Sequence, residues 1–124
     1  MIEESYVSLE TARLLKEAGF DVPCTSQYTE NEFAWENLRK TDFNKSDYVF
    51  SRPTQALAAR WLREVHGIHV GIDLAYIKPM TGKWICFIRF TDDCGNPYCS
   101  TGWFDRYEEA LETGLREAIK LIKK

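Results

Sequence analysis

Apolar residues recur every three to four positions over 8–18, where Thr11, Ala12, Leu14, Leu15 and Ala18 share one side of a helix. Ser8 can cap that helix, Gly19 can end it, and Phe20 can fold back on it. A second stripe, Leu57, Ala58, Trp61, Leu62 and Val65, predicts a helix over 53–66, with Pro53 in its first turn and Gly67 as its stop. The period then drops to two. Ile68, Val70, Ile72, Leu74 and Tyr76 alternate with His69, Gly71, Asp73 and Ala75, and Trp84, Cys86, Ile88 and Phe90 alternate with Ile85, Phe87 and Arg89. These are two half-buried strands joined by a turn at 78–83. A second turn at 92–97 leads to a short third strand from 98 to 101, extending at most to 103. From Asp105, with Glu108 completing a capping box, the helical period returns through Tyr107, Ala110, Leu111, Gly114, Leu115, Ala118, Leu121 and Ile122. Glu112, Thr113, Arg116, Glu117 and Lys120 form its polar side.

The strands run together rather than alternating with helices, so the fold class is α+β. The expected architecture is a three-stranded antiparallel meander covered by helices, an α-β-β-β-α core with an extra N-terminal helix. That helix either joins the helical layer or covers the opposite face. Residues 24–50 hold no period. They read as a long irregular segment with a brief strand at Tyr28, a helical turn near 32–39 and an extended stretch at 48–50. Its aromatics are expected to dock on the core.

Length changes this picture little: 124 residues make one ordinary domain, 1–124. No apolar run approaches the span of a membrane helix, and the acidic start lacks a secretory pattern, so the chain is expected to be cytoplasmic with its four cysteines as free thiols. Charge is uneven. Residues 1–50 carry five Lys/Arg against ten Asp/Glu, and 51–104 carry six against four. The acidic balance argues against a general nucleic-acid binder and leaves room for a local basic patch.

The stretches Ser8-Leu-Glu-Thr-Ala-Arg-Leu-Leu-Lys-Glu-Ala-Gly-Phe20, residues 53–70 (Pro-Thr-Gln-Ala-Leu-Ala-Ala-Arg-Trp-Leu-Arg-Glu-Val-His-Gly-Ile-His-Val) and residues 107–119 (Tyr-Glu-Glu-Ala-Leu-Glu-Thr-Gly-Leu-Arg-Glu-Ala-Ile) resemble a group of small phage, prophage and mobile-element proteins of gut-type bacteria. The resemblance spans most of the chain outside 24–50. It implies an origin and an architecture similar to phage α-β-α sandwich domains, and no activity. The α-β-β-β-α order is also similar to a double-stranded-RNA-binding domain. Such domains grip phosphate with a Lys-Lys-x-Ala-Lys cluster at the start of the last helix. Here that stretch reads Asp105-Arg106-Tyr107-Glu108-Glu109, so the function is not carried over.

Candidate chemistry is sparse. Arg52, Arg60 and Arg63 are expected to project from the second helix opposite Leu57, Trp61 and Val65. They are the candidate binding residues, for an anion, RNA or an acidic protein patch. Lys78, Lys83 and Arg89 could extend them. Cys94 and Cys99, with four residues between them, would need Cys24 or a histidine to complete a zinc site, and plain turn thiols are the favoured reading. His66, His69 and Asp73 could hold a metal or move a proton, but a helix-end cation and a solvent-facing imidazole account for the histidines. Phe33, Trp35, Phe43, Tyr48, Phe50, Trp103 and Phe104 could expose a partner patch, with core packing the favoured reading. No phosphate loop, nucleophile elbow or HExxH motif occurs. The sequence therefore points to no catalytic residue, metal or cofactor. It points to a non-enzymatic accessory protein that binds an unknown protein, with a nucleic-acid-binding module as the alternative. Oligomeric state stays open.

Overall fold

The computed structural model describes residues 4–75, 78–79, 81–91, 98–99 and 102–122. Among them the order is α1 (Leu9–Glu17), β1 (Cys24–Thr29), β2 (Ala34–Thr41), a one-turn 3-10 helix (Phe43–Lys45), β3 (Val49–Ser51), α2 (Gln55–His66), β4 (Ile68–Leu74), β5 (Trp84–Phe90), β6 (Tyr98–Cys99) and α3 (Tyr107–Lys120). The fold is α+β.

The period-two segments pair as expected. β4 and β5 run antiparallel from Ile68↔Phe90 to Leu74↔Trp84, and β6 adds to β5, giving the meander β4-β5-β6. Ile68, Val70, Cys86 and Ile88 are buried on one face, against which α2 and α3 pack. Leu62, Leu115 and Ala118 fill the space between, and Phe20 meets Trp61 edge-on at 5.2 Å. Burying a side chain the size of Leu62, Leu115 or Phe20 is worth about 1.5–3 kcal/mol. α1 joins the helical layer beside α3 and also touches β3. Its start is as read: Ser8 Oγ accepts from Thr11 N–H at 3.3 Å. At its end Gly19 takes φ 92°, and Phe20 N–H donates to Leu15 C=O at 2.9 Å.

Two helix starts are corrected. α2 is capped by Thr54, whose Oγ1 accepts from Leu57 N–H at 3.2 Å, and Pro53 lies before the cap rather than in the first turn. α3 begins at Tyr107 behind Arg106, which makes no side-chain cap bond. The capping box from Asp105 does not form, because Asp105 pairs with Lys83 and Glu108 lies 3.8 Å from Arg106. The cause is just upstream. Trp84 and Phe104 exchange two backbone bonds of 2.7 Å, holding the chain to the sheet until residue 104. The turn expected at 92–97, with Cys94, lies outside the described residues.

The largest correction concerns 24–50. This segment is not irregular, and residues 34–41 are strand, not helical turn: they form a second antiparallel sheet, ordered β2-β1-β3. The hairpin between β1 and β2 closes with Thr29 N–H on Phe33 C=O at 2.8 Å, leaving Glu30, Asn31 and Glu32 as the loop. Glu32 takes the left-handed conformation at φ 71°, where this loop type normally carries glycine.

Candidate functional site

The two edges of the second sheet are treated differently. At the β3 edge, Lys16 Nζ donates to Val49 C=O at 2.9 Å and Ser51 N–H donates to Asn44 Oδ1 at 2.8 Å. Phe43, buried beneath, donates its N–H to Ser51 Oγ at 3.1 Å. That edge is closed by α1 and the 3-10 turn. The β2 edge is open, and all eight of its residues are exposed.

The ladder fixes which backbone groups face outward. Thr29 and Phe33 form a hydrogen-bonded pair, so alternation makes Gln27–Trp35 the next one. Ala34 and Glu36 then direct their N–H and C=O away from β1. Side chains alternate in the same way. Trp35 shares a face with Gln27, and Phe33 and Asn37 flank it, Gln27 Nε2 donating to Asn37 Oδ1 at 3.3 Å. Phe33 is 66% exposed, Trp35 58% and Leu38 104%. The register between β1 and β2 breaks between Cys24 and Ser26, where Thr41 and Glu36 are the partners, so β2 bulges over 37–40.

Core packing therefore holds for Phe43 and fails for Phe33, Trp35, Tyr48 and Trp103, which are exposed. Phe50 is half-buried, with the Lys16 ammonium 4.9 Å and the Arg13 guanidinium 5.5 Å from its ring. The signal that would have found the edge is the short alternation Phe33, Trp35 next to the charges of 36–40.

The three candidate arginines are not brought onto one face. Arg52 precedes α2 rather than projecting from it. Its guanidinium stacks on Tyr6 at 4.0 Å and lies 5.2 Å from the Tyr28 ring. Arg52 Nη1 donates to Ser26 Oγ at 3.1 Å and lies 3.9 Å from Glu36. It staples the N-terminal segment to the second sheet. Arg60 and Arg63 are exposed on α2, and Arg60 pairs with Glu64 at 3.0 Å. Arg89, on β5, is exposed with its guanidinium 5.6 Å from the Phe87 ring.

A groove of about 540 Å³ opens beside the helix N-termini, lined by Tyr6, Tyr28, Gln55, Phe104, Glu108 and Glu112 among others. Its most buried acid is Glu112, whose side chain is 14% exposed. Ser8 N–H (3.0 Å), Ser8 Oγ (2.9 Å) and the Thr11 hydroxyl donate to its Oε2, and Gln55 Nε2 donates to its Oε1 at 3.0 Å. Arg116 approaches to 3.8 Å. The carboxylate thus joins the start of α1, the start of α2 and the body of α3. Both oxygens are taken by donors of the fold, and the positive end of α1 faces Oε2 through the Ser8 amide. This is a structural clamp.

His66, in the last turn of α2, meets the Trp61 ring at 4.6 Å, and His69 lies 6.3 Å from Phe87. Among the described residues no group of three His, Cys, Asp or Glu is placed to hold a metal. No described helix is long and apolar enough to cross a membrane. Burial pushes the Cys24 thiol up to about 11, Asp42 adding to the shift and Lys40 opposing it. The thiolate is the nucleophile, so at pH 8 native Cys24 should resist iodoacetamide and react once the chain is unfolded. Mass spectrometry of the Cys24 peptide, with and without denaturant, checks this. The unfolded thiol ionises near 9.0, so the unfolded chain binds fewer protons between pH 9 and about 11, and this group makes stability fall as pH rises there.

Comparison with known protein families, characterised proteins and solved structures finds no match to this chain. Its function must be argued from the site itself.

Proposed function

We propose that this chain is a small accessory protein of phage or mobile-element origin that binds protein without catalysing a reaction, taking an extended segment of its partner as an added strand on β2. The origin rests on the resemblance at 8–20, 53–70 and 107–119. The binding mode rests on one observation: β2 is an open edge whose eight residues are all exposed, carrying Trp35 and bordered by Phe33. Soluble domains normally cover or blunt such an edge, because its free N–H and C=O groups template pairing with another chain. Here the opposite edge is closed by side chains and this one is left open. Backbone bonds to Ala34 and Glu36 would supply affinity, and a side chain packed against Trp35 and Phe33 would supply choice. The alternative, phosphate binding by the arginine face, has less support, since Arg52 is turned inward and Arg60 is held by Glu64.

The test uses one substitution. Glu36→Pro removes an outward-facing N–H and leaves the β1 ladder intact. Peptides selected from a displayed random library on the wild-type protein should lose at least about tenfold in affinity for Glu36→Pro, a change of about 1.4 kcal/mol. Equal binding to both proteins would remove strand addition as the mode.

A further inference from the structure

We infer that the strand taken by β2 is β2 of a second copy, so that the protein is a two-fold dimer through this edge; this rests on the strand-addition reading above. The outward-facing residues set the register. Ala34 opposite Glu36 of the second copy, and Glu36 opposite its Ala34, are two pairs that each exchange backbone bonds, about four in all. Trp35 then meets Trp35 at the two-fold axis as a non-hydrogen-bonded pair, the closer kind, with the rings side by side. Phe33 of each copy flanks this contact on the same face.

The charges favour this arrangement. The chain entering β2 is acidic, Glu30 and Glu32, and the chain leaving its middle is basic, Arg39 and Lys40. Antiparallel pairing about Trp35 brings the acidic hairpin loop of each copy, Glu30 and Glu32, to the end of the shared edge where the basic bulge of the other, Arg39 and Lys40, lies. Parallel pairing would set Glu30 and Glu32 beside their own copies and Arg39 and Lys40 beside theirs. Like charges placed opposite each other destabilise a pairing. Glu36, near the axis, faces Ala34 rather than its own copy. An edge that is acidic, then aromatic, then basic complements itself about a two-fold axis, as an isologous contact requires.

The fold also explains why assembly stops at two. The bulge over 37–40 limits regular pairing to the first half of β2. The β3 edge is occupied by Lys16 and Asn44, so the joined sheet, β3-β1-β2-β2-β1-β3, has no open end.

Sedimentation velocity from about 1 to about 500 µM gives the test. The wild type should reach twice the 14.5 kDa chain mass. Trp35→Glu should sediment at the single-chain mass, since two carboxylates would meet at the axis, and so should Trp35→Lys. An equimolar mixture of the two should return to twice the mass. Trp35 is exposed, so neither change burdens the monomer fold, and recovery in the mixture rules out unfolding as the cause. A wild type at single-chain mass across the whole range would overturn self-pairing, as would a dimer indifferent to Trp35→Glu. If that monomer still bound selected peptides and lost them in Glu36→Pro, self-pairing alone would have failed and strand addition would stand.

Discussion

Replacing Glu112 with Ala should cost about 3–5 kcal/mol of unfolding free energy, as much as truncating a large side chain of the apolar core. The charge being removed is not a surface charge. Its oxygens receive the Ser8 amide and hydroxyl, the Thr11 hydroxyl and the Gln55 amide, with Arg116 behind. Gln55 Nε2 keeps the Glu108 C=O at 3.0 Å and Ser8 Oγ keeps Thr11 Oγ1 at 3.2 Å, but the Ala variant takes their acceptor from the Ser8 amide and the Thr11 hydroxyl, and each costs about 1–3 kcal/mol when stranded in a half-buried site. It also removes the anion from the start of α1. Glu112→Gln separates charge from shape. The amide keeps one acceptor oxygen but aims a donor at groups that already donate, so its loss should be large, though smaller than that of Ala. Urea unfolding of the three proteins is the measurement. A drop below about 1 kcal/mol for Glu112→Ala would mean the clamp contributes little beyond an ordinary exposed pair.

Glu112 also shows what the sequence withholds. On the amphipathic wheel of α3 it falls beside Thr113, Arg116 and Glu117, and periodicity assigns it to solvent. Its burial is caused by Ser8 and Gln55, residues 104 and 57 positions away, and no local pattern reports contacts at that range. The opposite holds for β4, β5, α1 and α2. There apolar side chains cover one whole face, so the apolar period is read directly, together with the glycine stops at 19 and 67. In the second sheet the strand at Tyr28 and the extended stretch at 48–50 are legible, and β2 between them is not, for a third reason. β2 buries neither face, so its apolar alternation stops at Phe33 and Trp35, and its hairpin turns on Glu32 where a glycine would have flagged it. The same exposure that hid the strand makes it the candidate site. The arginines do not share a face because α2 starts, at Gln55, three residues after Arg52. Its place under Tyr6 depends on the N-terminal segment crossing back to Thr54, seen in the bridge between Tyr6 and Thr54.

Substituting Gly114 should be the second severe change, although helix propensity points the other way. Gly114 sits mid-helix in α3, where alanine is intrinsically better by about 1 kcal/mol. A Cβ there would stand 2.7 Å from Val70 Cγ1 and 3.2 Å from Cys86 Cβ, inside the buried face of the main sheet. Val70 is β-branched and held in a strand, so its methyl has little freedom to swing away. The helix and sheet would have to part, and overpacking of this kind costs about 1–3 kcal/mol even for a single added carbon. Gly114→Ala should therefore come out destabilised by about 1 kcal/mol or more despite its propensity gain, and Gly114→Val by more than about 3 kcal/mol. Adding Val70→Ala removes the methyl that a new Cβ meets first. The double variant Gly114→Ala with Val70→Ala should then be more stable than the sum of the single losses allows, by at least about 1 kcal/mol. Thermal or urea unfolding of the four proteins completes the cycle. Additivity within about 0.5 kcal/mol would show that Val70 is not the group that sets how closely α3 approaches the sheet.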